Sequence, residues 1–423
     1  MSKKTLPLSS EMNMYKLFFC LFALLVVSCD KEEDFHVDVD DTALLTHSDS
    51  VAAMASYERI HTHTAQGTAY PVVIMADGYD VTEVNNGTYG RAIDKAEDAL
   101  FDREPMSSLK PYIDVYAVTA ISGSSGVGTK KKDTAFSTYF PDIEHTTEVG
   151  GDSLSVMACA EKVLQNYGYS KQGAREAVLN HCLMIVLLNS SRYAGVTYFC
   201  TIRTSSDGYP VGNAISYIPV NPVIEVGGTY GFRGDVFNEL IQHEAVGHGI
   251  GKLGDEYWYD DTTKYPEYQT PTDNAVKLFN NLFTNGYMQN IHYDDEISIV
   301  HDVESSSWVY PFAIDSRYAS EQIRWYPGAY VYVKKFFRSS VFSVMNSTVD
   351  IRNNAFNTPS RAAIYRNVRH VADSSWQWDY EEFVAFDKEN RSTSAAKGIV
   401  MDTDVPVVMY SKRHISPFSM LSR

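Results

Sequence analysis

Two histidines and a glutamate near the middle of the chain are the residues with the clearest capacity for chemistry. The segment reads HEAVGHGIGKLGDEY from His243 to Tyr257. Imidazole nitrogens are common zinc ligands, and a carboxylate beside the metal can take a proton from a metal-activated water molecule. The segment therefore predicts a zinc-dependent hydrolytic site in which His243 and His248 bind Zn²⁺ and Glu244 is the general base.

The spacing of the two histidines departs from that of a regular α-helical site. Residues five apart lie about 140° apart around an α-helix, which is too far for both side chains to reach one ion. An i→i+5 turn would absorb the extra residue, and Gly247 lowers the steric cost of that distortion. We therefore expect a π-type bulge within 243–248.

The residues after His248 indicate where a third ligand comes from. Gly249, Gly251 and Gly254 oppose a continuing helix, so the chain should turn here. Such a turn can bring Asp255 back toward the metal. The neighbouring Glu256 is the alternative, because both carboxylates are chemically suitable.

Strands alternate with helices in the half of the chain that precedes this segment. Apolar runs predict buried strands at 71–75, 112–119 and 182–188, and helical spacing is found at 90–101 and 152–168. A further, more exposed strand is expected at 197–202, either as an edge to which a peptide could add or as an interior strand. The alternation predicts an α/β (α+β) fold.

The composition is that of an ordinary globular protein of one to three domains. The chain has 423 residues, of which 44% are hydrophobic and 21% charged. The net charge of −17 opposes binding to a phosphate backbone, so we expect no nucleic-acid partner. Cys159, Cys182 and Cys200 form no C-x-x-C pair, which argues against a thiolate metal site or a disulfide scaffold.

The N terminus predicts export and a lipid anchor. Residues 17–27 are an apolar run of about a dozen residues, too short to span a bilayer and typical of a signal peptide. The run ends in Val-Val-Ser-Cys29, which resembles a bacterial lipobox, in which the cysteine is acylated. A lysine at 31 followed by the acidic residues 32–34 resembles the surface-export signal of some Gram-negative lipoproteins. We therefore expect an outer-membrane lipoprotein that is anchored at Cys29 and exposed at the cell surface.

Residues 243–257 resemble the active-site segment of the M64 metallopeptidases, whose founding activity is cleavage of immunoglobulin A. The usual segment of that family has His-Glu-x-Gly-His, then a Gly and Leu, then Asp-Glu-Tyr. This chain keeps that spacing from Gly247 to Tyr257 and has one extra residue between Glu244 and Gly247. The resemblance covers roughly residues 60–375, with shorter matching segments at 76–79, 103–105, 189–195 and 337–345.

The resemblance implies a metzincin-like metallopeptidase with upper and lower subdomains flanking a zinc-site cleft. It makes His243, His248 and Asp255 the ligands, Glu244 the general base, and Met345 the methionine of a turn beneath the metal. The implied activity is that of a zinc-dependent endopeptidase acting on a polypeptide substrate, such as host immunoglobulin or glycoprotein. The expected organisation is a signal peptide at 1–29, an acidic tether at 30–55, the metallopeptidase domain at 56–390 and a C-terminal tail at 391–423, in a monomer.

Two other functions are compatible with the sequence. One is a catalytically inert surface lipoprotein that binds host protein or glycan through a peptidase-like fold, although an intact Glu244 counts against it. The other is a zinc hydrolase of a small or cell-wall substrate. The spacing His-Glu-x-x-Gly-His also occurs in dipeptidyl-peptidase-III-like enzymes, whose third ligand is a later glutamate, so Glu381-Glu382 is a further alternative for that ligand.

Overall fold

The computed structural model describes most of the chain between residues 54 and 388. The described ranges are 54–141, 148–200, 202–206, 208–222, 236–259, 261, 263–295, 311–348 and 353–388, together with the paired two-residue strands β1 (Cys20–Leu21) and β2 (His36–Val37). Cys29, most of the predicted signal peptide and tether, and the predicted tail at 391–423 lie outside the described residues.

A six-stranded mixed sheet forms the centre of the fold. Its strands are β3 (Met54–His61), β4 (Tyr70–Asp77), β5 (Ile113–Ala120), β6 (Leu183–Leu188), β7 (Val196–Tyr198) and β10 (Ala214–Pro219). The order is β3-β5-β4-β6-β10-β7. The four central strands are parallel, whereas β3 and β7 pair antiparallel at the two edges.

The central strands are apolar because helices cover both faces of the sheet, as in other parallel sheets. The helices before the histidine segment are α1 (Val81–Asn85), α2 (Thr88–Phe101), α3 (Met106–Leu109), α4 (Ser153–Asn166) and α5 (Lys171–Asn180). A 3₁₀ turn at Lys110–Tyr112 leads into β5. Every residue of β4 and β6 is buried.

A smaller, three-stranded antiparallel sheet is built by the later residues. It contains β11 (Ile291–Tyr293), β12 (Tyr326–Ala329) and β13 (Tyr332–Arg338) in the order β11-β13-β12. The remaining described elements are the hairpin β8 (Arg203–Thr204) and β9 (Pro210–Val211), helices α6 (Phe237–Leu240), α7 (Asp273–Thr284), α8 (Thr358–Ala372) and α9 (Tyr380–Phe386), a π-helix at Ile241–Ile250, and 3₁₀ turns at Pro266–Tyr268 and Ser316–Glu321. Among the described residues, no helix is both long and apolar enough to span a bilayer.

The predicted strands and helices before residue 190 are confirmed, and the predicted strand at 197–202 needs correction. It is shorter, at Val196–Tyr198, and it lies at a sheet edge, which was one of the two expectations. The expectation that it is more exposed was wrong, because all three of its residues are buried. The hydroxyl of Thr197 points inward and lies 2.9 Å from Ser216 Oγ on β10.

A buried carboxylate fixes the loop at the carboxyl end of β4. Asp77 accepts hydrogen bonds from backbone or side-chain groups of Gly78, Ser122, Thr134, Phe136 and Thr138. A carboxylate with this many donors needs no counter-ion, since the hydrogen bonds compensate the charge. Asp77 therefore organises the loop that crosses the end of the sheet.

Candidate metal site

The histidine segment forms a π-helix rather than an α-helix with a single bulge. Helix α6 continues directly into the π-helical residues Ile241–Ile250, and the Gly251 N–H closes the last turn onto the carbonyl of Val246 at 2.8 Å. The predicted π-type distortion is confirmed, but it extends beyond 243–248. An i→i+5 helix places residues five apart next to each other along its axis, so His243 and His248 lie on one side.

Two glycines allow this helix to fit between the sheet and a later loop. A Cβ atom built on Gly249 would lie 2.6 Å from Leu183 Cδ1 on β6. One built on Gly247, on the other side, would lie 2.2 Å from the sulfur of Met345. Real Cβ atoms do not approach other atoms so closely, so larger residues at either position would force the helix away from its supports.

His243, His248 and Asp255 are brought together at the end of this helix. Their ligand-capable atoms all lie within 4.8 Å of one another. His243 Nε2 is 3.1 Å and His248 Nε2 is 3.3 Å from Asp255 Oδ1. Two zinc bonds of about 2.1 Å at a tetrahedral angle separate their ligand atoms by about 3.4 Å, so this donor set fits a zinc ion.

Backbone carbonyls hold both imidazole rings in a fixed orientation. His243 Nδ1 lies 2.9 Å from the carbonyl oxygen of Val344, and His248 Nδ1 lies 2.8 Å from that of Leu253. A carbonyl oxygen can only accept, so each Nδ1 donates a proton to it and each Nε2 faces the cluster, where its lone pair is available to a metal ion when the ring is neutral. Second-shell bonds of this kind orient the histidine ligands of metal sites.

The electrostatics of the cluster favour a cation at its centre. Burial alone would lower the pKa of His248, but the Asp255 carboxylate outweighs it and raises that pKa to about 9. Burial would likewise raise the pKa of Asp255, whereas His248 and then His243 hold it well below its usual range. The partly buried carboxylate therefore stays ionised and attracts positive charge, whether a proton on an imidazole or a metal ion.

Glu244 lies beside the cluster and is positioned by the edge strand. Glu244 is 7% exposed, and the Thr197 hydroxyl lies 3.0 Å from Oε2 and 2.9 Å from the Glu244 carbonyl oxygen. A Cβ built on Gly195 would lie only 3.1 Å from Oε1, so the strand entry approaches the carboxylate closely. Thr197 was not singled out by the sequence, because its contact depends on how the strand packs against the helix.

Two tyrosines also stand near Glu244. Burial, followed by the Asp255 charge, raises the pKa of Tyr257 well above its usual range. Burial raises the pKa of Tyr193 to about 12, and its hydroxyl lies 2.5 Å from Thr348 Oγ1. Both phenols therefore stay protonated at neutral pH and can act as hydrogen-bond donors.

The alternative carboxylates are engaged elsewhere. Glu256 is fully buried and accepts hydrogen bonds from the amides of Asn290 and Asn357 at 2.8 and 2.9 Å. Burial raises the pKa of Glu256 to about 7. Glu381 pairs with Arg317, and Glu382 pairs with Arg369 on α8. None of these three glutamates belongs to the cluster of potential metal ligands in the described part of the chain.

Met345 lies beneath the π-helix, and an ion pair between Arg103 and Glu239 holds the start of the helix. Met345 is fully buried, and its carbonyl oxygen accepts from the Glu256 N–H at 2.8 Å. Arg103 forms a short ion pair with Glu239 of α6 and also donates to the carbonyl oxygen of Asn354 at 3.0 Å. The same arginine thereby ties the start of the histidine helix to the chain that follows Met345.

The remaining cysteines are structural in character. Cys159, Cys182 and Cys200 are buried, and none of them forms a disulfide with another described residue. Burial raises the pKa of Cys159 to about 12, so its thiol stays protonated and does not offer a thiolate ligand.

Comparison with known protein families finds one matching family. The family model described as IgA Peptidase M64 matches residues 60–285, which is more than half of the chain and includes the whole 243–257 segment. No curated protein matches the chain.

Proposed function

The chain belongs to the M64 peptidase family, and we propose that it is a zinc-dependent endopeptidase. The observation that carries the proposal is the cluster of His243, His248 and Asp255, with Glu244 beside it on the same helix. Two imidazoles and one carboxylate leave a fourth position for water or substrate, as in catalytic rather than structural zinc sites. We propose these three residues as the ligands and Glu244 as the general base.

The residues around the cluster suit the steps of peptide hydrolysis. Zinc bound there would supply a Lewis acid and lower the pKa of water to about 7. Glu244 would accept the proton of the attacking water and pass it to the leaving amine. Thr197 would hold the Glu244 carboxylate in place, and Met345 would form the apolar floor under the ligands.

The substrate class follows from the edge strand. Strand β7 has a neighbour on one side only among the described strands, and its Thr197 touches Glu244. An extended peptide added antiparallel or parallel to such an edge is held by backbone hydrogen bonds, which accept many sequences. We propose that an extended segment of a protein substrate binds along β7, and immunoglobulin A is the first protein to assay because the family description names it.

The proposal also covers how the two sheets are arranged around the π-helix. We propose a metzincin-like division in which the six-stranded sheet forms the upper subdomain and the three-stranded sheet the lower one. The π-helix would lie at the floor of the cleft, since it contacts β6 through Gly249 and the later chain through Gly247.

Metal analysis of the chain from residue 30 onward tests the proposal. Elemental analysis of the wild type should find one zinc per chain, which His248→Ala should lose. Glu244→Gln, the matched control, should keep the zinc while peptide-library cleavage falls by at least about 100-fold, since general-base catalysis contributes that much. No tightly bound zinc under metal-replete conditions, or full activity in Glu244→Gln, would contradict the proposal.

The outcome of the same experiment separates the two alternatives. A zinc-loaded wild type that cleaves no peptide but binds a host protein or glycan would favour the inert binding lipoprotein. Turnover of a cell-wall fragment without turnover of peptides would favour a hydrolase of small substrates.

We also propose that the protein is a surface lipoprotein anchored through Cys29. The support is the lipobox-like sequence at 26–29 and the acidic run after it. Metabolic labelling with a radioactive fatty acid should mark the wild type and not Cys29→Ser, and surface proteolysis of intact cells should remove it. Labelling that persists in Cys29→Ser would refute the anchor.

A further inference from the structure

A buried asparagine binds the segment that carries the proposed third ligand. Asn290 lies directly before β11 and is fully buried. Its Oδ1 accepts from the Gly254 N–H at 2.8 Å, and its Nδ2 donates to the Gly254 carbonyl oxygen and to Glu256 Oε1, each at 2.8 Å. Both polar atoms of the Asn290 side chain are therefore bound to the two residues that flank Asp255.

The two bonds to Gly254 give this residue the partners that a neighbouring β-strand would give. The amide supplies an acceptor for the N–H and a donor for the carbonyl oxygen, whereas an ionised aspartate of the same shape has no donor. The approach is close, because a Cβ atom built on Gly254 would lie 2.6 Å from Cδ1 of Ile291, the residue after Asn290. The contact therefore requires both the amide of Asn290 and the absence of a side chain on Gly254.

The chain around Asn290 is held against the same segment by its backbone. The Met288 N–H donates to the Lys252 carbonyl oxygen at 2.6 Å. Lys252 and Met288 have φ angles of 53° and 55°, in the left-handed region that residues with a side chain rarely adopt. Such conformations persist where the surroundings determine them, so the two stretches of chain fix each other. Asn290 thus has a fixed position from which it holds the ligand segment.

The main chain around Asp255 is held by two further hydrogen bonds. The Asp255 carbonyl oxygen accepts from the Tyr330 N–H at 2.9 Å, and the Glu256 N–H donates to the Met345 carbonyl oxygen at 2.8 Å. Both of these bonds join main-chain groups, so they do not depend on a particular side chain. The bonds to the residue before Asp255 come from the side chain of Asn290, and a substitution there removes them.

We propose that Asn290 is a positioning residue for the proposed zinc site, because it fixes the direction from which the Asp255 carboxylate meets the metal. The inference rests on the proposed function, in which Asp255 is the third ligand. Asn290 acts through Gly254 and Glu256 rather than by touching the metal or the substrate. Outer contacts of this kind change metal affinity by about 10–100-fold when they are removed, so Asn290 should contribute about that much to zinc binding.

Competitive zinc titration of the chain from residue 30 onward tests the proposal. Asn290→Ala should raise the Kd for zinc by about 10–100-fold. Asn357→Ala is the matched control, because it removes another buried amide that binds Glu256, at 2.9 Å, while none of the described hydrogen bonds of Asn357 reaches Gly254. The control should retain most of the zinc affinity. The visible absorption of the Co²⁺-substituted chain, which reports the ligand geometry, should change in Asn290→Ala and not in Asn357→Ala.

Thermal unfolding with and without zinc separates positioning from a merely structural role. A ligand that binds only the folded chain raises the melting temperature according to its affinity. Asn290→Ala should therefore gain less from zinc than the wild type does, whereas loss of a purely structural contact would lower both melting temperatures and leave the gain unchanged. Asn290→Ser, whose hydroxyl is too short to reach both groups of Gly254, should give the same result and replaces the alanine variant if that variant does not fold.

The outcomes distinguish this inference from the proposed function. Zinc affinity and Co²⁺ absorption equal to those of the wild type in Asn290→Ala would overturn the inference and leave the proposed metal site intact. An equal loss in Asn290→Ala and Asn357→Ala would also overturn it, because the effect would then come from Glu256 and not from Gly254. A wild type that binds no zinc would overturn the proposed function and the inference with it.

Discussion

The contact between Gly247 and Met345 allows a test of how the loop beneath the candidate metal site supports the histidines. An alanine at 247 would place its Cβ 2.2 Å from the sulfur of Met345 and 3.1 Å from Cε. Carbon and sulfur normally approach to about 3.7 Å, so the methionine or the helix must move by about 1.5 Å. Overpacking of this kind costs about 1–3 kcal/mol of unfolding free energy. Since the carbonyl of Val344 orients His243, the shift should also weaken zinc binding by about 10–100-fold.

A double-mutant cycle measures this coupling. Met345→Ala alone should cost about 2–5 kcal/mol through the cavity it leaves. In Gly247→Ala/Met345→Ala the new methyl group enters that space, so the double variant should be about 1–3 kcal/mol more stable than the sum of the single changes. Urea unfolding and competitive zinc titration provide the two measurements.

Gly90→Ala is the matched control for the same substitution. Gly90 lies in α2, and apart from the adjoining helix backbone a Cβ there would have no described atom within 4 Å. The change should therefore stabilise the chain by about 0.5–1 kcal/mol, because alanine favours a helix over glycine. If the unfolding free energies of Gly247→Ala and Met345→Ala simply add in the double variant, or if Gly247→Ala binds zinc as tightly as the wild type, the proposed coupling between Gly247 and Met345 is refuted.

Three other contacts give separate expectations. Thr197→Val should lower kcat about 10–100-fold and leave zinc content unchanged, because it frees the Glu244 carboxylate; equal kcat in a peptide assay would contradict this. Burial lowers the pKa of Lys252 from 10.5 to about 7. The unfolded chain therefore binds more protons than the folded one between these pH values, and the free energy of unfolding of the wild type should rise with pH there. Lys252→Met should stabilise the chain most below pH 7, by at most about 5 kcal/mol. Urea unfolding at several pH values checks this, and a gain that does not shrink toward pH 10 argues against it. Arg103→Leu should cost about 3–5 kcal/mol by removing the guanidinium that pairs with the buried Glu239 carboxylate, and Arg103→Leu/Glu239→Leu should recover much of that loss; a double variant no more stable than the single one counts against the pairing.

The central strands were predictable because both of their faces are buried. A strand covered on both sides must be apolar throughout, so the runs at 71–75 and 182–188 stand out in the sequence. The strand at Val196–Tyr198 does not follow this pattern, because its buried Thr197 is polar and its hydroxyl forms hydrogen bonds with Glu244 and Ser216. A contact between residues 47 positions apart leaves no local signal, which explains why the exposure of this strand was mispredicted.

The spacing of the histidines predicted a π-type turn but not its length. Local geometry requires only that residues 243 and 248 face the same way. The length depends on supports that lie far away in the chain, namely Leu183 against Gly249 and Met345 against Gly247. Such contacts decide which helical form is adopted when the local conformational free energies of the forms are similar. They cannot be read from a single sequence.

The choice between Asp255 and Glu256 rests on the direction of an extended backbone. Successive side chains of an extended segment point to opposite sides, so only one of two neighbouring carboxylates can face the histidines. The Glu256 N–H is bound to the Met345 carbonyl, and the Asp255 carbonyl accepts from the Tyr330 N–H at 2.9 Å, which fixes the segment between the methionine loop and the smaller sheet. Glu256 is thereby turned toward Asn290 and Asn357, and Asp255 toward the histidines. The two acids therefore have different roles, since one completes the candidate metal site and the other joins the elements that support it.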